Sequence, residues 1–390
     1  MMTPQSEYRY DDIRPFTDLE AMQALPQAAR TSCLRQVMQY AYPDMSEEQH
    51  QAILASCTSV RDFIAKAVYP SISRLFRGTT DGVRYRGMGA LDKNRSYLFL
   101  SNHRDIVMDA VILNYGLFVQ GMPLTQSAIG NNLVPDDDLL LLSRINKNFV
   151  VRRDLSPRDT LAFSAKLSHY IRHVIDRTGD SVWLAHREGR AKDGNDQTAA
   201  GVIKMLTLGA REGEDLVDAL RALRIVPMAI SYQWDATDRL KVRELLARES
   251  GVRYVKAPGE DFHSIVTGIT GQKGAVCVSL GQPLDDELES LRPLDNDVRR
   301  VRAACGLIDR HIHRLYELFP THYAAADLLE GGARREAFYT PADREAFLQR
   351  METVARDTAD PQAARRILLR MYAYPVLNKE KAEQSQKQTR

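Results

Sequence analysis

The sequence predicts an α/β fold: a mainly parallel (mixed) sheet covered by helices on both faces, with helical N- and C-terminal flanks. Two observations carry that reading. From about residue 81, short runs rich in β-branched and aromatic residues alternate with helix-length segments. Those runs are continuously apolar, the pattern of strands covered on both faces of a parallel sheet.

Residues 1–80 hold few glycines and no alternating runs, and segments such as TSCLRQVMQYAY carry helical spacing. In the stretch Val60 to Arg77, Phe63, Ile64, Ala67, Val68, Ile72, Leu75 and Phe76 recur every three or four residues, with Arg61, Lys66, Arg74 and Arg77 between them. Such a helix either docks on the body of its own protein or rests, as a basic amphipathic helix, on a membrane surface. Pro70 kinks or splits it.

Strands are expected at VRYRG (83–87), SYLFLS (96–101), FVVRR (149–153), SVWLA (181–185), IVPMAISY (225–232) and AVCVSL (275–280). Helices fall between them at Ile106–Phe118, Pro157–Arg177 and Gly201–Glu212, so the α/β region spans 81–285. A helical region follows at 286–378. There Val298, Val301, Cys305, Ile308, Ile312, Leu315 and Phe319 step at alternating intervals of three and four, a seam for packing on the α/β region or in a helical hairpin. Two more helices are expected at Pro341–Asp357 and Pro361–Tyr372. The polar end, 379–390, reads as an unstructured tail.

Composition narrows the function. A length of 390 residues exceeds the ~100–200 typical of one domain, which predicts one large domain with appendages, or two. Its 53 basic and 51 acidic residues nearly cancel, which argues against nucleic acid as a partner. No stretch approaches the ~18 apolar residues of a spanning helix, since Asp109 and Asn114 break the most apolar one. The first residues are polar and acidic, unlike a secretory signal. Cys33, Cys57, Cys277 and Cys305 lie far apart with no metal-binding spacing. A cytoplasmic protein without a metal site is expected.

The sequence lacks a G-x-S-x-G elbow, a phosphate loop and an H-E-x-x-H zinc helix. A dinucleotide fingerprint starting at Gly87-Met88-Gly89 fails because Asp92 takes the place of the third glycine. The informative run is Ser101-Asn102-His103-Arg104-Asp105-Ile106-Val107-Met108-Asp109, where a buried strand ends in a polar cluster that opens an apolar helix. Strand ends of open α/β sheets are where ligands bind. Asp105 stands where an N-cap belongs. Asp109 interrupts the apolar helix, where a lone carboxylate is costly to bury, and His103 is its nearest partner. A carboxylate that fixes one imidazole tautomer makes the ring a competent base.

These residues resemble the glycerolipid acyltransferases, which include bacterial glycerol-3-phosphate and lysophosphatidate acyltransferases. The family's N-H-x4-D motif is matched by Asn102, His103 and an aspartate. Its aromatic–aliphatic run ending in arginine is similar to Asn148 through Arg153. Its E-G-x-R or G-R-S-R-x-G motif is similar to Glu188-Gly189-Arg190-Ala191-Lys192-Asp193-Gly194, and its V/I-P strand to Val226-Pro227-Met228. The four occur in the family's order across 81–285. Two departures stand out. Five residues rather than four separate His103 from Asp109, which keeps Asp105 as an alternative partner although burial favours Asp109. Arg187 occupies the place of a glutamate, with Glu188 one position late.

The resemblance implies an O-acyltransferase of membrane lipid biosynthesis, peripheral on the cytoplasmic face of the membrane. His103 is then the base and Asp109 its orienting partner. Arg152 or Arg153, with Glu188, Gly189, Arg190 and Lys192, forms the site for a phosphorylated glycerol or lysolipid acceptor. The implied donor is an acyl thioester of coenzyme A or acyl carrier protein, with no further cofactor. An acyl-thioester hydrolase and a catalytically silent lipid-binding protein are the alternatives.

Overall fold

The computed structural model describes residues 9–153 and 155–389. Among them are seven strands: β1 (Val83–Arg86), β2 (Leu98–Ser101), β3 (Thr125–Gly130), β4 (Asn148–Val151), β5 (Ser181–Ala185), β6 (Ile225–Tyr232) and β7 (Val276–Leu280). They form one sheet in the order β1-β7-β6-β2-β5-β3-β4. Every pairing is parallel except β6 with β7, so the sheet is the mixed, mainly parallel one expected.

Alternation along each strand splits the interior into two cores. Phe99 of β2 and Trp183 of β5 face one side, with Val226, Met228 and Ile230 of β6. Their neighbours Leu98, Leu100, Val182 and Leu184 face the other. Pro227 has no N–H to give, yet costs no ladder bond. The β6/β7 register begins one residue later, at Met228, and the Pro227 carbonyl already accepts from Gly281 N at 2.9 Å.

β3 is the strand the sequence does not announce. TQSAIG is half polar, but its buried polar groups find partners. Asn114 Nδ2 donates to Thr125 Oγ1 at 2.8 Å, Tyr170 OH donates to Gln126, and the Gln126 amide donates to Asp180 at 2.9 Å.

The stretch from Val60 is a helix (Val60–Phe63), a π-helical turn (Ile64–Val68) and a second helix (Tyr69–Thr79) with Pro70 near its start. Pro70 therefore splits the element, as expected. Phe63 and Ala67 are fully buried, and Leu75 and Phe76 nearly so. A buried side chain of that size contributes ~1.5–3 kcal/mol, so the apolar face belongs to the protein's own core. The alternative of this helix resting on a membrane is overturned.

Beyond β7, Val301, Cys305, Ile308 and Ile312 of the helix Asp297–Leu315 are buried in the second core against β6. The seam packs on the sheet and starts one step late, because Val298 is exposed. The helices Pro320–Glu330, Pro341–Arg356 and Pro361–Thr389 build a third core around Phe347, Leu368 and Tyr372. The tail expected to be unstructured from residue 379 is a correction: the last helix runs on to Thr389. Its polar residues have tertiary partners that charge patterning does not reveal. Lys379 Nζ donates to the carbonyls of Arg314 and Tyr316 at 2.9 and 2.7 Å. Glu380 pairs with Arg335 and Arg334, and Ala382 is buried. Residues 1–8, on which the reading of the N-terminus rested, lie outside the described residues.

Candidate active site

The site is built on the turn that follows β2. Asn102 continues the β2–β6 pairing with its side chain: Oδ1 accepts from Ile230 N at 2.8 Å and Nδ2 donates to the Ile230 carbonyl at 3.0 Å. His103 comes next, with Nδ1 2.7 Å from Asp109 Oδ2. Asp109 lies in the first turn of the helix Met108–Val119 and has no exposed surface. That burial is satisfied in full. Oδ2 also accepts from the Arg104 and Asp105 backbone N–H groups at 2.6 and 3.0 Å, and Oδ1 accepts the Tyr232 hydroxyl at 2.7 Å. The helix N-terminus adds a favourable dipole. An ionised carboxylate only accepts, so His103 must present N–H at Nδ1. In the neutral ring this leaves the Nε2 lone pair free, with no partner among the described residues. The ring stands edge-on to Trp183, centroids 5.3 Å apart, and lines the large cavity described below.

Asp105 has the capping role. Its Oδ1 accepts from Val107 N and Met108 N at 3.0 and 2.9 Å, which shapes the turn that absorbs the extra residue between His103 and Asp109. It makes no bond to His103. Its other oxygen lies where a Cβ on Gly268 would stand 1.9 Å away, so a glycine is needed there. Burial, and next the Asp109 charge, push the Asp105 carboxyl up. As the alternative partner of His103 it is corrected.

The turn is anchored from beneath. Arg104 points inward to Asp196 at 2.6 Å and to the Gly194 carbonyl at 3.3 Å, and the Tyr316 hydroxyl donates to the same carboxylate. Lys241, which is buried, donates to the Arg104 carbonyl at 2.8 Å and pairs with Asp235. Burial pushes the Lys241 ammonium down, opposed by Asp235. The backbone amides that hold Asp109 are thus fixed from the far side by the partly buried Arg104 and the buried Lys241.

Above the turn is a cavity of about 1120 Å³. One set of walls is apolar: Ile64, Val68, Ile72, Val111, Leu124 and Ile129. The other is basic, with Arg153 after β4, Arg187, Arg190 and Lys192 after β5, and Arg248 and Lys256 beyond β6. His103, Arg153 and the 187–192 loop all follow C-terminal ends of parallel strands, where open α/β sheets bind ligands.

The residues expected in the acceptor site separate here. Arg153, Glu188, Gly189, Arg190 and Lys192 line the cavity. Arg152 does not; it pairs with Asp12 at 3.1 Å on the exposed surface, a correction that follows from neighbouring residues of an extended chain facing opposite ways. Arg153 pairs with Glu188, and Lys192 with Glu244. Arg190 reaches Thr237 at 3.5 Å. Gly189 takes a left-handed φ of 66°. Gly194 lies so close to the last helix that a Cβ would stand 2.2 Å from the Met371 carbonyl. His186 lies behind the site, fully buried, with Nδ1 3.2 Å from Thr198 Oγ1. Burial pushes its pKa down to about 4, which fits a structural residue.

The sequence reading did not pick out Tyr232, Trp183, Lys241 or Arg248. Arg187 was visible only as a departure from a motif, yet it lines the cavity and has no acidic partner among the described residues.

No protein-family model matches the chain. No curated protein matches it either. Among solved structures it is similar to the 1-acyl-sn-glycerophosphate (LPA) acyltransferase PlsC from Thermotoga maritima, at 13% identity over 76% of this chain and 95% of that one, with a TM-score of 0.37. At that score the likeness carries no activity across, and the chemistry of this site rests on its own residues.

What the arrangement can do follows from its parts. It offers a base with a fixed tautomer, an apolar volume large enough for an alkyl chain, and several cations with room for an anionic group. The turn also supplies a donor. The N–H groups of Arg104 and Asp105 go to Asp109, and those of Val107 and Met108 go to Asp105. Ile106 N–H, between them, has no acceptor among the described residues, and Ile106 lines the cavity. Among the described residues no helix is long and apolar enough to cross a membrane.

Proposed function

We propose that the protein is an O-acyltransferase. It moves a fatty acyl group from an acyl thioester, on coenzyme A or acyl carrier protein, to the hydroxyl of a glycerol-3-phosphate-like or lysophospholipid acceptor. It works at the cytoplasmic face of the membrane. The observation that carries this reading is the His103–Asp109 pair, whose free Nε2 is set in a cavity with apolar walls on one side and basic walls on the other.

In this reading Nε2 takes the proton of the acceptor hydroxyl as its oxygen attacks the thioester carbonyl. Asp109 stabilises the imidazolium so formed. The carbonyl oxygen gains the displaced electron pair and accepts a hydrogen bond from Ile106 N–H. Collapse of the tetrahedral species breaks the carbon–sulfur bond, and the departing thiolate takes the proton from Nε2. Arg187, Arg190 and Arg153 hold the acceptor phosphate through charge-assisted bonds, Arg153 exchanging its Glu188 partner for the ligand. The alkyl chain lies along Val68, Ile72 and Val111.

Purified protein with a long-chain acyl-coenzyme A, with and without glycerol-3-phosphate or a lysophospholipid, tests the reading through free thiol. Acceptor-dependent release supports the transferase. Acceptor-independent release makes the protein a hydrolase that uses the same base on water. His103→Ala is expected to lower turnover by about 10³-fold or more, and a fully active His103→Ala protein sinks the dyad.

A further inference from the structure

Between the helices Asp238–Glu249 and Glu260–Thr270 runs an arm, residues 250–259. On and beside it Val252, Val255, Phe262 and Val266 are 61%, 78%, 63% and 40% exposed. No other stretch of the described chain as short holds as many exposed large hydrophobic side chains. Phe262 and Val266 are four apart on one helix and therefore share a face. With Ile265 and Ile269 they also form a wall of the large cavity. The apolar surface thus continues from the cavity out onto the arm, where a soluble monomer normally shows charge.

Charge completes the pattern. Arg243, Arg248 and Arg253 are exposed and have no acidic partner among the described residues. The acids of the segment are mostly committed: Glu244 to Lys192, Glu249 to Arg370 and Asp261 to Lys256. Glu260 accepts from Ala257 N. Exposed Asp136, Asp137 and Asp138 stand just beyond Leu133 and Val134 in another cavity wall. An anionic surface would repel them, which leaves the arm as the contacting edge.

We propose that residues 243–266 are the surface by which this protein rests on an anionic lipid bilayer. Val252, Val255 and Phe262 enter the boundary between headgroups and acyl chains. Arg243, Arg248 and Arg253 meet lipid phosphates. Neither signal alone gives stable attachment, but apolar insertion and basic side chains together do. The cavity then opens at the membrane, so that a lipid substrate passes between bilayer and site along one apolar surface. The inference rests on the acyl-transfer reading only for what passes through the opening.

Sedimentation with vesicles tests it, using phosphatidylcholine alone and equal parts of phosphatidylcholine and phosphatidylglycerol. The proteins are wild type, Val252→Asp/Val255→Asp and Arg253→Glu; none of these side chains lines the cavity. Wild type is expected to sediment with the mixed vesicles and to be released by salt. The double variant should bind them about tenfold more weakly or worse, and Arg253→Glu severalfold more weakly. All three should melt alike and release thiol alike from a short-chain, water-soluble donor with acceptor. Wild type that ignores the mixed vesicles, or a double variant that sediments like wild type, overturns the proposal. If sedimentation behaves as expected but no protein releases thiol, the bilayer surface stands and the acyl-transfer reading falls.

Discussion

Replacing Asp109 by Asn removes one negative charge from the site while leaving its shape. Three donors converge on Oδ2: His103 Nδ1, Arg104 N and Asp105 N. The amide oxygen of an asparagine therefore settles there, and its NH2 takes the place of Oδ1. That NH2 faces the Tyr232 hydroxyl, which donates at 2.7 Å in the native protein and can turn to accept instead. The fold should survive, with a melting temperature within a few degrees of wild type. What is lost is the attraction between the carboxylate and the imidazolium formed during proton transfer. Two unit charges ~4 Å apart at an effective dielectric of ~20 attract by ~4 kcal/mol. At 1.36 kcal/mol per factor of ten, that is a fall in kcat of about 10³-fold. KM for donor and acceptor should hardly move, because Asp109 touches neither. The assay is acceptor-dependent thiol release at saturating acceptor, run beside Asp105→Asn. In that second variant the amide oxygen can still accept from Val107 N and Met108 N, so the expected cost is ~1 kcal/mol of stability with kcat within about tenfold of wild type. A folded Asp109→Asn protein that keeps kcat within a factor of ten refutes the reasoning, as does a loss confined to Asp105→Asn.

Two further outcomes follow from neighbouring groups. Tyr232→Phe removes a charge-assisted bond to Asp109 of the kind worth ~1.5–3 kcal/mol; part of that should appear as roughly a tenfold lower kcat with both KM values unchanged, and a variant that alters KM instead places Tyr232 in substrate binding. Burial pushes His186 and His322 down to about 4 and about 3, against 6.5 for a free imidazole. Above pH 6.5 neither the folded nor the unfolded chain protonates them. As the pH falls below that value only the unfolded chain takes up the proton, so stability is lost down to the folded-state values, by roughly 2 kcal/mol for each histidine by pH 5. Urea unfolding from pH 7 to pH 5 measures this, with His186→Gln flattening its share, and a midpoint that does not move over that range refutes it.

How much of this was legible in the sequence depends on whether a residue's partner lay nearby in the chain. β2, β5, β6 and β7 are announced by their own apolar runs, since burial on both faces writes itself into the strand. β3 is not, because Thr125 and Gln126 are made tolerable in the interior by Asn114, Asp180 and Tyr170. The amphipathic pattern at Val60–Arg77 shows that one face is covered, but not by what; only the packing tells protein core from membrane. The polar tail from residue 379 hides its helix for the same reason. Arg335, which neutralises Glu380, is itself buried in a pocket of acids that includes Asp327 and Glu330.

The site divides along the same line. Asp109 stood out because a carboxylate inside an apolar helix needs donors, and the nearest, His103 and two backbone amides, are local. Tyr232 completes the shell from the end of β6, where nothing in the run IVPMAISY marks its hydroxyl as different from any other buried phenol. Five residues separate His103 from Asp109. Within that turn Asp105 caps Val107 and Met108. The turn points two successive amides, of Arg104 and Asp105, at Asp109 and leaves a third, of Ile106, beside the cavity with no acceptor among the described residues. The turn therefore uses two aspartates, one to close it and one to hold the base. The two acidic residues that competed for one role in the sequence have separate roles in the fold.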